Sequence, residues 1–172
     1  GCHGEEKEAE CMRAVVVDTN VPVAANGMAN HVNEDCVIHC VERIKQVRKM
    51  ELLLLDDGMR ILQEYMDYLS PSGQPGFGDI FMKWVWNNQA NPKHCKIISI
   101  TEVAEKPYFR EFPNDDELDA FDPSDRKFVA VAKGSGLNPP ILNATDTDWW
   151  NFKEPLHRHG IEIEFICPES MT

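Results

Sequence analysis

Val15-Val16-Val17-Asp18-Thr19-Asn20 is the stretch that most constrains how this chain can fold. Three consecutive β-branched residues suit a strand buried on both faces, as in the middle of a parallel sheet. The run stops on an acid. An aspartate at the carboxyl end of a central parallel strand stands where open α/β sheets bind ligands, which makes Asp18 a candidate site residue. Capping the helix that follows is the competing role for the same side chain.

The rest of the chain supplies the partners such a strand needs. Short apolar runs at Leu52–Leu55, Ile97–Ile100, 139–144 and 161–166 read as further strands. Between them, Val37, Cys40, Val41, Ile44 and Val47 recur at helical spacing, as do Met59, Leu62, Tyr65, Met66 and Leu69. A third helical stripe carries Phe77, Phe81, Trp84 and Val85; core packing or a homodimer surface explains it better than a base-stacking platform. Residues 101 to 121 are acidic and rich in loop formers, and Asp122-Pro123-Ser124-Asp125 opens a helix with a cap, a proline and an acid in order. Alternating strands and helices predict an α/β fold, a three-layer α/β/α sandwich around a mainly parallel sheet. One domain over residues 12–168 is expected, with a disordered leader at 1–11, where Met12 would serve as a start, and a tail at 169–172.

No apolar run approaches the length needed to cross a bilayer, so no membrane partner and a cytoplasmic setting are expected. The six cysteines are scattered and read as mostly reduced. Cys36 and Cys40 share a helical face, but with no second Cys/His pair in sequence they read as two core thiols. A formal charge of -12, from 29 acids against 17 Lys and Arg, works against gripping nucleic acid by bulk electrostatics. A cluster of acids neutralised by bound cations would offset part of it.

Such a cluster is what the strand and helix ends suggest. Asp18 and Asp146 end predicted parallel strands and so reach the same sheet edge; Asp125 begins the helix leading to the second of them. Asp148 stands two residues further on, and Glu64 lies at the edge of an apolar helix stripe. Crowded carboxylates repel one another unless cations bind between them, and hard oxygen ligands select Mg²⁺ or Mn²⁺. Helix capping is the competing role for Asp125 and Asp148, and the accepted one for Asp122.

Four short segments together resemble the PIN domain family of metal-dependent nucleases. An apolar strand running into Asp18-Thr19-Asn20 resembles the family's opening motif, and Ile61-Leu62-Gln63-Glu64-Tyr65 its Glu-Tyr helix. The stretch Asp125 to Ala132 resembles its Asp-initiated apolar helix, and Ala144-Thr145-Asp146-Thr147-Asp148-Trp149 its closing motif. The resemblance implies metal ligation by Asp18, Glu64, Asp125 and Asp146, with Asp148 as an additional or water-mediated ligand. It also implies that Asn20 orients Asp18 through a side-chain hydrogen bond. Ala144 stands where family members often carry Ser or Thr, and Thr145 is the nearest hydroxyl. The activity implied is metal-assisted phosphodiester hydrolysis by one or two cations. One is held chiefly by Asp18 and Asp146, the other near Glu64 and Asp125.

Single-stranded RNA is the expected substrate, with DNA open, and Arg43, Arg48, Lys49, Arg126 and Lys127 are the candidate phosphate contacts. Small PIN proteins are often toxins paired with a protein antitoxin, and a regulatory, protein-binding role with little catalysis is the alternative. A haloacid dehalogenase-type phosphatase would need an acid where Asn20 stands. A phosphate-accepting receiver domain would need an acidic pair near the first strand and a late lysine, and Asp56-Asp57 follows the second strand instead.

Overall fold

A computed structural model describes residues 12–29 and 32–171; the expected leader, with Cys2 and Cys11, lies outside them. Strand β1, Ala14–Val17, is buried along its whole length, as its β-branched run requires. Strands β2 (Leu52–Asp56), β3 (Cys95–Ile98), β4 (Pro140–Asn143) and β5 (Glu162–Phe165) complete one five-stranded sheet in the order β3-β2-β1-β4-β5. Every pairing is parallel, with Ala14 opposite Leu52 on one side of β1 and Val16 opposite Ile141 on the other. β3 begins two residues before the expected run at Ile97. It is an edge strand whose outward Lys96 interrupts the apolar pattern, while Cys95 pairs with Leu53.

Among the described residues, seven helices connect the strands: α1 (Asn20–Ala25), α2 (Glu34–Met50), α3 (Arg60–Tyr68), α4 (Phe77–Asn88), α5 (Arg126–Ser135), α6 (Thr147–Asn151) and α7 (Lys153–Arg158). The chain steps outward from β1 to β3 with α1–α4 on one face, as parallel crossovers of the usual right hand require. The return from β3 to β4 then puts α5 on the other, packed across the inner strands, and the result is the expected three-layer sandwich. On α4, Phe81, Met82 and Val85 are buried against the core and Phe77 and Trp86 are exposed, so most of the aromatic stripe is packing. None of the described helices is long and apolar enough to cross a membrane.

The acidic segment between β3 and α5 folds inward, which its composition concealed. Phe109, Phe112, Leu118 and Phe121 are buried, and Arg126 is 1% exposed beneath them. Its guanidinium donates to the carbonyls of Leu118 (2.8 Å), Asp119 (3.2 Å), Phe121 (3.2 and 3.3 Å) and Pro107 (3.3 Å), and lies 4.4 Å from the centre of the Phe112 ring. Arg126 is therefore the pin of this loop and not a phosphate contact. A planar, five-donor group is suited to gathering converging carbonyls, a task a lysine's point charge would not perform.

The cysteines depart from the reduced pattern expected. Cys36, in the first turn of α2, forms a disulfide with Cys167, just after β5, across a sequence separation of 131 and a Cα–Cα distance of 5.5 Å. A pairing between elements so distant in sequence is visible only once β5 has joined the sheet beside β4. Cys40 and Cys95 are free, and burial pushes both thiols up to about 12.

Candidate metal centre

The strand order runs outward from β1 through β2 and β3, then reverses into β4 and β5, so the topological switch point falls between β1 and β4. Ligand crevices of open α/β sheets lie at such a point, beyond the carboxyl ends of the strands. Asp18 leaves β1 there, its N–H donating to Leu142 O at 3.1 Å. Asp146 follows β4 and caps α6. Asp125 closes a 3-10 turn, Pro123–Asp125, whose geometry is set by Asp122 accepting from Ser124 N and by Pro123 in the first position. Carboxylate oxygens of Asp18, Asp125 and Asp146 come within 4.8 Å of one another. They line a cavity of about 250 Å³ together with Thr19, Asn20, Glu64 and Tyr68.

Each carboxylate is held differently. Asp18 accepts from Asn20 N (3.0 Å) on Oδ1 and from the indole Nε1 of Trp149 (2.7 Å) on Oδ2. Burial nevertheless pushes Asp18 up to about 7, with the charges of Glu64 and Asp146 adding to it. Asp125 is pushed up further still, first by burial and then by the charges of Asp18 and Asp146. Asp125 is 7% exposed, and its Oδ2 is buried with no hydrogen-bond partner. A buried, unpaired oxygen in a close group of three acids, two of them buried, is tolerable only with protons or a cation among them. The donor set is all oxygen, which fits a hard divalent cation of the Mg²⁺ or Mn²⁺ kind.

Glu64 reaches the cavity from α3 but is already paired: Oε1 accepts from Lys127 Nζ at 2.9 Å and Oε2 from Thr19 Oγ1. It therefore stands at the rim of the three-acid group. Asp148 does not join that group. Its Oδ2 accepts from Asp122 N at 3.0 Å, and its own N–H donates to Asp146 Oδ1 at 2.9 Å, so it ties the 122–125 turn to the closing loop. Burial pushes Asp148 upward as well. Asp56 ends β2 at the same edge, but its oxygens accept from Arg60 N, Ile61 N and the Arg60 guanidinium, which fixes the start of α3.

The supporting groups differ in part from those expected. Asn20 holds Asp18 through its backbone N–H, while its side chain accepts from Ala144 N (2.7 Å) and Thr145 N (3.3 Å) and donates to Asn143 Oδ1 (2.7 Å). It clamps the β4 end against β1, and Thr145 takes part through its backbone. Arg43 is engaged by Glu51 and Glu164 away from the cavity. Arg48 and Lys49 end α2 just before β2 begins, at the sheet edge opposite the acids. Of the expected phosphate contacts, Lys127 is the one beside the site. Trp149, Thr19 and Tyr68 were not singled out from the sequence. Trp149 had a signal, since a buried indole needs a partner for its N–H and this one follows the closing Asp146-x-Asp148 directly.

The acid cluster implies a pH dependence. A carboxyl that holds its proton more tightly in the folded than in the unfolded chain favours folding below its ordinary range, and loses that advantage as pH rises through the folded value. Asp18 and Asp125 both behave this way. Without divalent cations the protein is expected to melt at a lower temperature at about pH 8 than at about pH 5, and Mn²⁺ should restore more stability at the higher pH. Scanning calorimetry in chelator and in Mn²⁺ at the two pH values checks both signs.

The chain matches no protein-family model, no curated protein and no solved structure.

Proposed function

We propose that the protein is a PIN-like, divalent-cation-dependent nuclease that hydrolyses phosphodiester bonds, with single-stranded RNA as the preferred substrate. The observation that carries this reading is the group Asp18, Asp125 and Asp146 at the switch point of a parallel sheet, with Asp125 Oδ2 buried and unpaired. These three residues would hold Mg²⁺ or Mn²⁺, with Glu64 at the rim. Such an ion, when bound, lowers the pKa of a coordinated water and stabilises charge on phosphoryl oxygens.

The chain's own groups supply the rest. Asn20 N and Trp149 Nε1 each occupy one direction on the Asp18 carboxylate, which fixes the orientation of its remaining lone pairs. Burial favours the protonated form of Asp18 and Asp125, so a cation held by them would bind in competition with protons. Lys127, held beside the cavity by Glu64 and the Ser124 carbonyl, would be the cation to meet a substrate phosphate. Tyr68 lies one turn beyond Glu64 on α3, lines the same cavity and is 68% exposed, so an unpaired base can stack on it. A stacking position of this kind favours a single strand over a duplex. No covalent enzyme intermediate is required.

Cleavage of a fluorophore-quenched single-stranded RNA in Mn²⁺, with and without chelator, tests the reading. Asp18→Asn and Asp146→Asn are each expected to abolish Mn²⁺-dependent cleavage, and full activity in either variant contradicts the assignment. Saturable cation binding without turnover of RNA or DNA would favour the protein-binding alternative.

A further inference from the structure

Cys36, Cys40 and Cys167 are fully buried, and their sulfur atoms lie within 4.8 Å of one another. Two of the three form the disulfide, and the third is a free thiol one helical turn along α2 from Cys36. The fold brings them together from two directions. Positions 36 and 40 share a face of α2, and Cys167 arrives just after β5, whose register is set by Pro140 opposite Glu162. A buried free thiol is ordinarily a small hydrophobe, and Cys95 is one. Cys40 differs in lying within ligand distance of two further sulfurs.

We propose that reduction of the Cys36–Cys167 bond turns this cluster into a three-thiol site for a soft d¹⁰ cation of the Zn²⁺ or Cu⁺ kind. Disulfide and metal thiolate are then alternative states of one position. In the first step a dithiol supplies two electrons and two protons; the Sγ–Sγ bond breaks, two thiols form, and the dithiol leaves as its own disulfide. In the second, each sulfur that coordinates releases its proton to solvent. Thiolates select soft cations over Mg²⁺ and Mn²⁺, so the site is chemically separate from the acid cluster and does not depend on its role.

The helix start favours the charged ligand form at Cys36, whereas burial holds the proton on Cys40, so coordination there would have to displace it. Cys36 stands in the first turn of a 17-residue helix, where unsatisfied N–H groups and the helix dipole stabilise a thiolate; Asn33 caps that turn by accepting from Cys36 N at 2.8 Å. Both states also tie the segment after β5 to α2. Met171 on that segment accepts from Asn143 Nδ2 at 3.7 Å, and the same nitrogen donates to Asp146 O at 3.1 Å. The segment that carries Cys167 is thereby linked by two hydrogen bonds to the loop that carries Asp146.

The test uses the full chain with Cys2→Ser and Cys11→Ser, so that only the described cysteines respond. Protein reduced with dithiothreitol and desalted without oxygen is titrated with Cd²⁺ as a probe for the divalent case, following the thiolate-to-cadmium charge-transfer absorbance. A parallel titration with Cu⁺ against a competing chelator covers the monovalent case. One equivalent of either cation should bind to the reduced protein and none to the sulfurs of the oxidised protein. Cys40→Ser, which keeps the disulfide pair, should weaken binding at least ~10-fold, while Cys95→Ser leaves it unchanged. The proposal is overturned if neither cation gives a saturable thiolate signal, or if Cys40→Ser binds like its parent. Loss of the helical circular dichroism signal on reduction overturns it as well, because a preformed site requires a folded reduced chain.

Discussion

Asp125→Asn is expected to stabilise the cation-free protein near neutral pH and at the same time to abolish Mn²⁺ binding and cleavage. Asp125 is buried, its Oδ2 has no hydrogen-bond partner, and burial together with Asp18 and Asp146 pushes its carboxyl far above the ordinary range. Holding a proton there at neutral pH costs folding free energy, because the unfolded chain would release it. An amide has no charge to neutralise and is nearly the same size, so the expected gain is up to ~3 kcal/mol. The amide also removes an anionic ligand, an effect larger than the ~10- to 100-fold loss that follows removal of a supporting hydrogen bond. Thermal melts in chelator and Mn²⁺ titrations on the same preparation check the two halves. A melting temperature below that of the parent protein in chelator would contradict the assignment of Asp125 as a strained acid.

Arg126→Met is expected to be among the most destabilising single substitutions in the chain, by about 4 kcal/mol. Methionine keeps much of the apolar stem and removes all five donors. The carbonyls of Pro107, Leu118, Asp119 and Phe121 would then lose those bonds, and those of Leu118 and Phe121 lie where water is excluded. Each buried group left unpaired costs about 1–3 kcal/mol, against a total stability of about 5–15 kcal/mol for a domain of this kind. The loop leads directly into Pro123–Asp125, so the variant should also lose cation affinity. Urea denaturation gives the first effect and Mn²⁺ titration of the folded fraction the second. Arg126→Lys is expected to rescue little, since a single ammonium cannot reach four carbonyls in a planar fan.

The sheet and its order of elements were legible because their signals are local. A triple-valine run, a leucine run and helices with regular stripes each fall within one window of sequence, and alternation then implies parallel crossovers. Three of the expected acids, Asp18, Asp125 and Asp146, meet for the same reason: each ends a strand or starts a helix at the edge where such sheets gather ligands. What could not be read depends on contacts between distant segments. Arg126 looks like a surface cation until the 105–122 loop closes over it, and Cys36 and Cys167 look unrelated until β5 is in register. Asn20 was expected to serve Asp18 with its side chain, yet the nearer need was the unpaired N–H groups of Ala144 and Thr145. Trp149 supplies the second bond to Asp18 from 131 residues away, a distance no local motif spans.

Calorimetric titration of the cation-free protein with Mn²⁺ at about pH 7.5 tests the central claim most directly, because it asks whether the buried acids are a cation site before any substrate is chosen. The expected result is saturable binding with release of protons, seen as a heat that varies with the ionisation enthalpy of the buffer, and loss of that binding in Asp146→Asn. Absence of saturable binding, or binding that Asp146→Asn leaves unchanged, would contradict it.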